Sequence, residues 1–165
     1  MRLKEKDDMI DQAGIMMAQG LGTASERIQG VNDNMSQSHY HEYFEIYYLE
    51  AGERFHMVED QLYHMEQGEF MIFPPYVMHH SYGEKNVPFK RLVLYFTPEE
   101  VLWPSILTEL KEEIGVYQVD IRERQEIHRL MEILLKEQNN PGLHHDEFNQ
   151  GIINVLLLLI LRQKH

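Results

Sequence analysis

Cysteine is absent from the 165 residues. Disulfides, thiolate metal sites and a cysteine nucleophile are therefore excluded, and nothing points to an oxidising compartment. Basic residues are scarce beside acidic ones: 15 Lys and Arg against 27 Asp and Glu leave a formal charge of −12. Surfaces that neutralise phosphates are usually basic, so this stretch is expected to repel nucleic acid rather than bind it by itself. Long apolar runs are missing as well. The longest, Ile152 to Leu161, is too short to span a bilayer, and the opening MRLKEKDD is too polar for a signal peptide. A soluble cytoplasmic protein with no membrane partner is the expectation. Neither a Gly-rich phosphate loop nor a GxSxG motif occurs, so nucleotide-dependent and thiol chemistry find no support.

What the chain does have is histidine placed among strand-forming residues. The stretch His39 to Gly52 reads HYHEYFEIYYLEAG, and a second, Gly68 to His80, reads GEFMIFPPYVMHH. Successive side chains of a strand point to opposite faces, so His39, His41, Tyr43, Glu45 and Tyr47 are expected on one side. Tyr40, Phe44, Ile46 and Tyr48 would form the other, apolar enough to be covered. A strand covered on both sides suggests a β-barrel or sandwich. The second stretch can bring His79 to face His39, His41 and Glu45.

Taken in order, residues 1–38 read as an N-terminal helix and arm. Met9, Ile10, Ala13, Met16 and Met17 share one side of the helix, and the segment after Gly20 is expected to be loosely ordered. Residues 39–96 read as the core, a succession of short strands broken by turn signals. Residues 97–165 switch to helix. Thr97-Pro98-Glu99-Glu100 has the form of a capping box, a short helix is expected from Ser105 to near Gly115, and Asp120 caps a longer amphipathic helix. After the turn Asn139-Asn140-Pro141-Gly142 a final helix carries Asp146 and Glu147 at its start and Arg162, Lys164 and His165 at its end. That helix is apolar nearly all round. One stripe, Phe148, Ile152, Val155, Leu156, Leu159 and Ile160, can pack within the chain. A second, Ile153, Leu157, Leu158 and Leu161, is expected to meet another copy in a homodimer.

The first histidine stretch resembles the cupin superfamily motif: His39, His41, Glu45 and Gly52 match HxH, three residues, Glu, six residues, Gly. Gly68, Pro74 and His79 match the second motif, with Tyr76 where cupins often have Gly and Gly83 where many have Asn. The resemblance implies a mainly β fold, a small cupin barrel (double-stranded β-helix), here followed by a C-terminal antiparallel helix pair. This combination resembles the N-terminal domain of AraC-type transcriptional regulators, which implies a small-molecule effector, often a sugar or related metabolite, held in the barrel, and dimerisation through the helices. DNA would be met only through the family's helix-turn-helix half, of which the 165 residues show no trace.

Two chemistries fit the cluster. His39, His41, Glu45 and His79 could be ligands to a divalent transition metal such as Zn, Fe, Ni, Mn or Cu, leaving open positions for water or substrate. Alternatively, the same groups bind an effector by hydrogen bonds, with Tyr43, Tyr47 and Tyr95 adding ring faces and hydroxyls. The first reading extends to a stand-alone metal-dependent cupin enzyme acting on a small polar metabolite. The second needs no catalytic residue. His80 is expected to face away from the cluster, His56 and His64 to lie at the surface or pocket rim, and the ten methionines to fill the core.

Overall fold

The computed structural model describes residues 12–31 and 39–163. Met9, Ile10, Lys164 and His165, each assigned above to a helix, lie outside the described residues. The order begins with α1 (Gln12–Ala18) and β1 (Thr23–Val31), then β2 (Phe44–Ala51), β3 (Glu53–Val58), β4 (Gln61–Glu66), β5 (Phe70–Phe73), β6 (His79–Tyr82) and β7 (Pro88–Phe96). A 3-10 turn (Pro98–Glu100), α2 (Pro104–Leu110), β8 (Val116–Tyr117), α3 (Ile121–Asn139) and α4 (His145–Arg162) follow.

The strands form two sheets, β1-β7-β2-β5-β8 and β4-β3-β6. They do not merge into the closed barrel that the sequence suggested. At the turn between β2 and β3 Gly52 adopts φ +90°, where a Cβ would meet the Pro88 carbonyl at 2.5 Å. Consecutive strands on either side of that turn enter different sheets. Sequence reading also missed β1, assigned above to a loosely ordered arm. Its nine residues pair antiparallel with β7 from Thr23↔Phe96 to Val31↔Pro88. As an edge strand it leaves backbone groups unpaired. The Gln138 side chain of α3 meets two of them, accepting from Ser25 N at 2.7 Å and donating to Ser25 O at 2.9 Å.

Strand β2 is buried on both faces. Phe44, Ile46 and Tyr48 join Ile72, Leu92, Leu94 and Phe96 in a core covered by Ile127, Leu130, Met131 and Leu134 of α3 and Ile153, Leu156, Leu157 and Ile160 of α4. Tyr47 and Leu49 face the other way, into a second core with Val58, Met65, Met71, Phe73, Val93 and Tyr95 between the sheets. On the helix side Glu50 receives hydrogen bonds from Arg27 and His128. Burial alone would raise its carboxyl, but those bonds hold it down at about 2.

Asp120 caps α3 as expected, accepting from Arg122 N at 3.1 Å and Glu123 N at 3.2 Å. The expected capping box at Thr97 does not form: the Thr97 side chain makes no capping bond, and only one 3-10 turn follows. Asn154 of α4 takes up the groups that end this turn, donating to Glu100 O at 2.8 Å and accepting from Leu102 N at 2.9 Å. The short helix is one residue earlier and several shorter than expected, because Val116 and Tyr117 pair with β5 instead. On α4 the two stripes exchange roles in part. Ile153 and Leu157, expected to meet another copy, are fully buried in the chain's own core, and Leu158 and Leu161 are partly buried. The exposed apolar positions are Phe148 and Val155, 41% and 49% exposed, flanked by Ile152 and Leu159, which pack in part against the core.

Leu156→Ala, at the centre of the helix-side core, is expected to destabilise the fold by about 2–5 kcal/mol. Leu143→Ala, in the exposed turn before α4, is expected to stay within about 0.5 kcal/mol of the parent. Urea denaturation followed by circular dichroism measures both.

Candidate functional site

The HxH segment is not a strand. β2 starts only at Phe44, and residues 39–43 form an irregular approach pinned at its ends. His39 and His79 exchange two backbone hydrogen bonds of 2.9 Å, an isolated antiparallel bridge. Tyr76 N donates to His41 O at 2.8 Å. Tyr76 has φ 68°, so the position where cupins often carry Gly keeps the left-handed backbone with a tyrosine in it.

This scaffold brings together His39, His41, Glu45 and His79. The three imidazoles each offer a nitrogen within 4.8 Å of the others. Glu45 Oε1 lies 3.1 Å from His41 Nε2 and 3.4 Å from His79 Nε2. Both histidines are oriented from behind: His41 Nδ1 is 3.0 Å from Tyr43 O, and His79 Nδ1 is 3.0 Å from Val77 O. A carbonyl oxygen can only accept, so each Nδ1 carries the proton and donates. In the neutral tautomer each Nε2 then presents a lone pair to the shared space, the arrangement found around metal-ligating histidines. The donor set therefore fits a divalent transition ion. With a proton in place of the ion, the Nε2 groups become hydrogen-bond donors to Glu45.

The rings are clamped as well. Tyr43 stacks on His41 at 4.2 Å and 5°, and Phe73 stacks on His79 at 4.2 Å and 10°. Tyr95 approaches Tyr43 at 4.9 Å and His41 at 5.5 Å. Burial would raise the Glu45 carboxyl, yet hydrogen bonds to His41 and His79 hold it well below the usual carboxylate range. His79 shows the counterpart: burial opposes its charge, but the bond to Glu45 raises it. His39, without such a bond, is lowered to about 4 by burial and by the neighbouring His79.

Outside the cluster the surface opens into a hollow of about 950 Å³ bordered by His41, Tyr40, Tyr43, Tyr76 and Glu99. Tyr40 and Tyr76 face each other across 6.0 Å, both exposed. Tyr47 does not join the cluster. It lies in the inter-sheet core against His56, ring centroids 4.4 Å apart. His80 turns away from the cluster, opposite Met57 on β3.

Sequence reading placed His56 at the surface or rim; the structure places it in the interior, 1% exposed, beside Arg54, also 1% exposed. Arg54 donates to Ser81 Oγ at 3.2 Å and lies 4.0 Å over the Phe89 ring. Parity with Val58 was the available signal, since Arg54, His56 and Val58 alternate inward on β3. Among the described residues there are two further carboxylate–imidazole groups, Glu50 with His128 and Glu132, and Glu53 with His64 and Glu66. Arg27 already neutralises the first, and the second lies largely open to solvent.

The family model for the AraC-like ligand binding domain matches residues 27–161. The chain belongs to that family. Among solved structures it is similar to the AraC-like transcriptional activator CuxR, at 8% identity and a TM-score of 0.51, over 81% of this chain and 48% of that one. It is also similar to a Bacteroides fragilis cupin protein at 14% identity, TM-score 0.45, over 59% of this chain and 83% of that one. A Bacillus subtilis oxalate decarboxylase variant matches at 16% identity, TM-score 0.41, over 48% of this chain and 22% of that one. The chain thus spans about half of the activator and under a quarter of the decarboxylase. No curated protein matches it. No helix among the described residues is long and apolar enough to cross a membrane.

Both ring nitrogens of His56 are buried without a hydrogen-bond partner among the described residues. Burial lowers its pKa to about 3, so the folded protein holds it neutral while an unfolded chain protonates it near the ordinary 6.5. The unfolded state binds the extra proton, so stability should fall progressively as the pH drops from 6.5 towards 3. His56→Phe is expected to flatten that part of the profile. Denaturant midpoints across the pH range, with the His56 ring followed by NMR, measure it.

Proposed function

We propose that this chain is the small-molecule-sensing and dimerisation domain of an AraC-like transcriptional regulator. The observation that carries the reading is the family match over residues 27–161 combined with a polar cluster at an open mouth, backed by a helix pair across β2. The effector is a small polar metabolite, a sugar or related compound. It enters past Tyr40 and Tyr76, meets His41 first, and gains ring faces and hydroxyls from Tyr43 and Tyr95.

His39, His41, Glu45 and His79 would hold a divalent transition metal, Zn, Fe, Ni, Mn or Cu, which when bound polarises an oxygen of the effector. The chain's own contribution is orientation: backbone carbonyls of Tyr43 and Val77 fix the two Nδ1–H groups, and stacked Tyr43 and Phe73 fix the ring planes. Two copies pair through the exposed Phe148 and Val155 of α4 and the half-buried Ile152 and Leu159 beside them. DNA is met through a domain outside these residues, since a charge of −12 opposes phosphate contact. The cytoplasm is the compartment of such a regulator. A second reading, a metal-dependent cupin enzyme acting on a small polar metabolite, is favoured by the two Nε2 atoms converging on Glu45. The family match favours the sensor.

Sedimentation and a Co²⁺ titration of the chelator-treated chain test the two halves of the proposal. The chain is expected to sediment as a dimer at micromolar concentration, and Val155→Glu to make it a monomer with its helicity intact. One equivalent of Co²⁺ is expected, with His79→Ala weakening uptake about tenfold or more. A monomeric parent overturns the dimerisation reading, and no Co²⁺ uptake reassigns the cluster to direct effector binding. Turnover of a hydroxylated metabolite, lost in Glu45→Ala, would establish the enzyme instead.

A further inference from the structure

A second polar cleft lies away from the histidine cluster and shares no residue with its mouth. It is a pocket of about 440 Å³ between the α1–β1 turn, the 3-10 turn and the α3–α4 pair. Three acceptors gather on its walls. Glu100 and Asp146 each make neither an ion pair nor a side-chain hydrogen bond with another described residue. Asn149, 6% exposed, also lines it. Its Nδ2 donates to His145 Nε2 at 3.2 Å, which the opposite ring nitrogen allows by donating to Glu137 at 2.8 Å. The Asn149 Oδ1 is then left buried, with no donor among the described residues. A buried acceptor without a donor is costly, and it marks the place where a ligand's N–H would belong.

We propose that this cleft is a separate ligand site for a small aliphatic ammonium ion. Among the described residues its lining contains no lysine or arginine, and its one imidazole, His145, is turned to Glu137 at 2.8 Å. A primary ammonium carries three donors and no acceptor, which matches two carboxylates and one amide oxygen. Leu21, Leu134 and Met16 supply apolar wall suited to a short methylene chain, beside Thr23, Ser25 and Gln138. A bare metal ion fits less well: Glu100 and Asp146 do not close with a third carboxylate or imidazole at ion-binding range, unlike the histidine cluster. Burial and the negative neighbours Asp146 and Glu99 raise the Glu100 carboxyl, which is the repulsion a bound cation would relieve. The position is also distinctive. It joins the α1–β1 turn to both C-terminal helices. Occupation would tie those three elements together independently of the histidine site. The proposal therefore stands apart from the effector reading.

Calorimetric titration of the whole chain with 1,4-diaminobutane and n-butylamine, at physiological ionic strength, tests it. Saturable one-site binding of at least one of them is expected. Glu100→Gln and Asp146→Asn should each weaken it about tenfold. Asn149→Asp, which adds negative charge at the orphaned acceptor, should tighten it. His79→Ala and the surface control Glu126→Gln should leave it unchanged. Absence of saturable binding by both amines overturns the proposal. So does an equal loss in Glu126→Gln, which would mean diffuse attraction to an acidic surface, or a loss in His79→Ala with Glu100→Gln silent, which would place the amine in the histidine cluster. Circular dichroism of each variant separates a lost site from a lost fold, and the two carboxylate variants with Asn149→Asp provide opposite signs that misfolding cannot mimic.

Discussion

Strand β2 has no solvent face over Phe44 to Leu49, and much of the architecture follows from covering it. Its even residues require a lid of apolar helices, which α3 and α4 provide. Its odd residues require a second sheet, which β3, β4 and β6 provide. The one charge in that run, Glu45, is then trapped between sheets, where an isolated carboxylate would cost several kcal/mol. His41 and His79 meet it from two different segments. The polar cluster is thus the local answer to a burial problem set by the strand, and its capacity for a metal or an effector is built on that answer. The Tyr43 and Val77 carbonyls behind the two rings make the arrangement specific, because they leave Nε2 as the only nitrogen free to turn inward.

The candidate cluster was legible because its residues recur at spacings that survive without regular strand geometry. His39, His41, Glu45 and His79 come together although residues 39–43 are irregular rather than β. The bridge between His39 and His79 does what strand alternation was expected to do. Period-two parity worked from Phe44 onwards. It failed on β3 because hydrophobicity there points the wrong way: Phe55 and Met57 face outward, while Arg54 and His56 face in. A reader who assigns the apolar residues to the interior inverts the strand. Arg54 is accommodated by the Phe89 ring and the Ser81 hydroxyl, contacts supplied by distant strands and invisible locally.

Two other misses share a cause in tertiary pairing. β1 has little intrinsic strand character, with Gly, Ser, Gln and Arg in its run, yet nine residues pair with β7 because a strongly apolar neighbour offers a free edge. The capping box at Thr97 met its local requirements and still failed, because Asn154 on α4 took the backbone groups that a longer helix would have used internally. Local signals held where no competitor reached them, as at Asp120, whose side chain caps α3 in open solvent.

The helix pair shows how far composition can go towards an interface. The chain's own core covers most of the all-round apolar α4, and which stripe stays outside depends on the rotation of the helix over the sheet. Two buried polar residues, Asn149 and Asn154, interrupt the greasy surface. Asn149 bonds His145 within the helix itself, whereas Asn154 faces the 3-10 turn, where it satisfies Glu100 O and Leu102 N. With that direction held, Ile153, Leu156 and Leu157 lie in the core, and Phe148 and Val155 are left outside. Asn154 therefore helps to set the register of the greasy helix. The same two amides also connect α4 to its surroundings: one ends the segment that leads out of β7, and the other borders the acidic cleft. Because Phe44 and Glu45 are adjacent on one strand, the core beneath α4 and the histidine cluster lie on opposite faces of β2. A displacement of β2 at the cluster must be accommodated in the packing beneath α4, which is the mechanical link a sensor of this architecture requires.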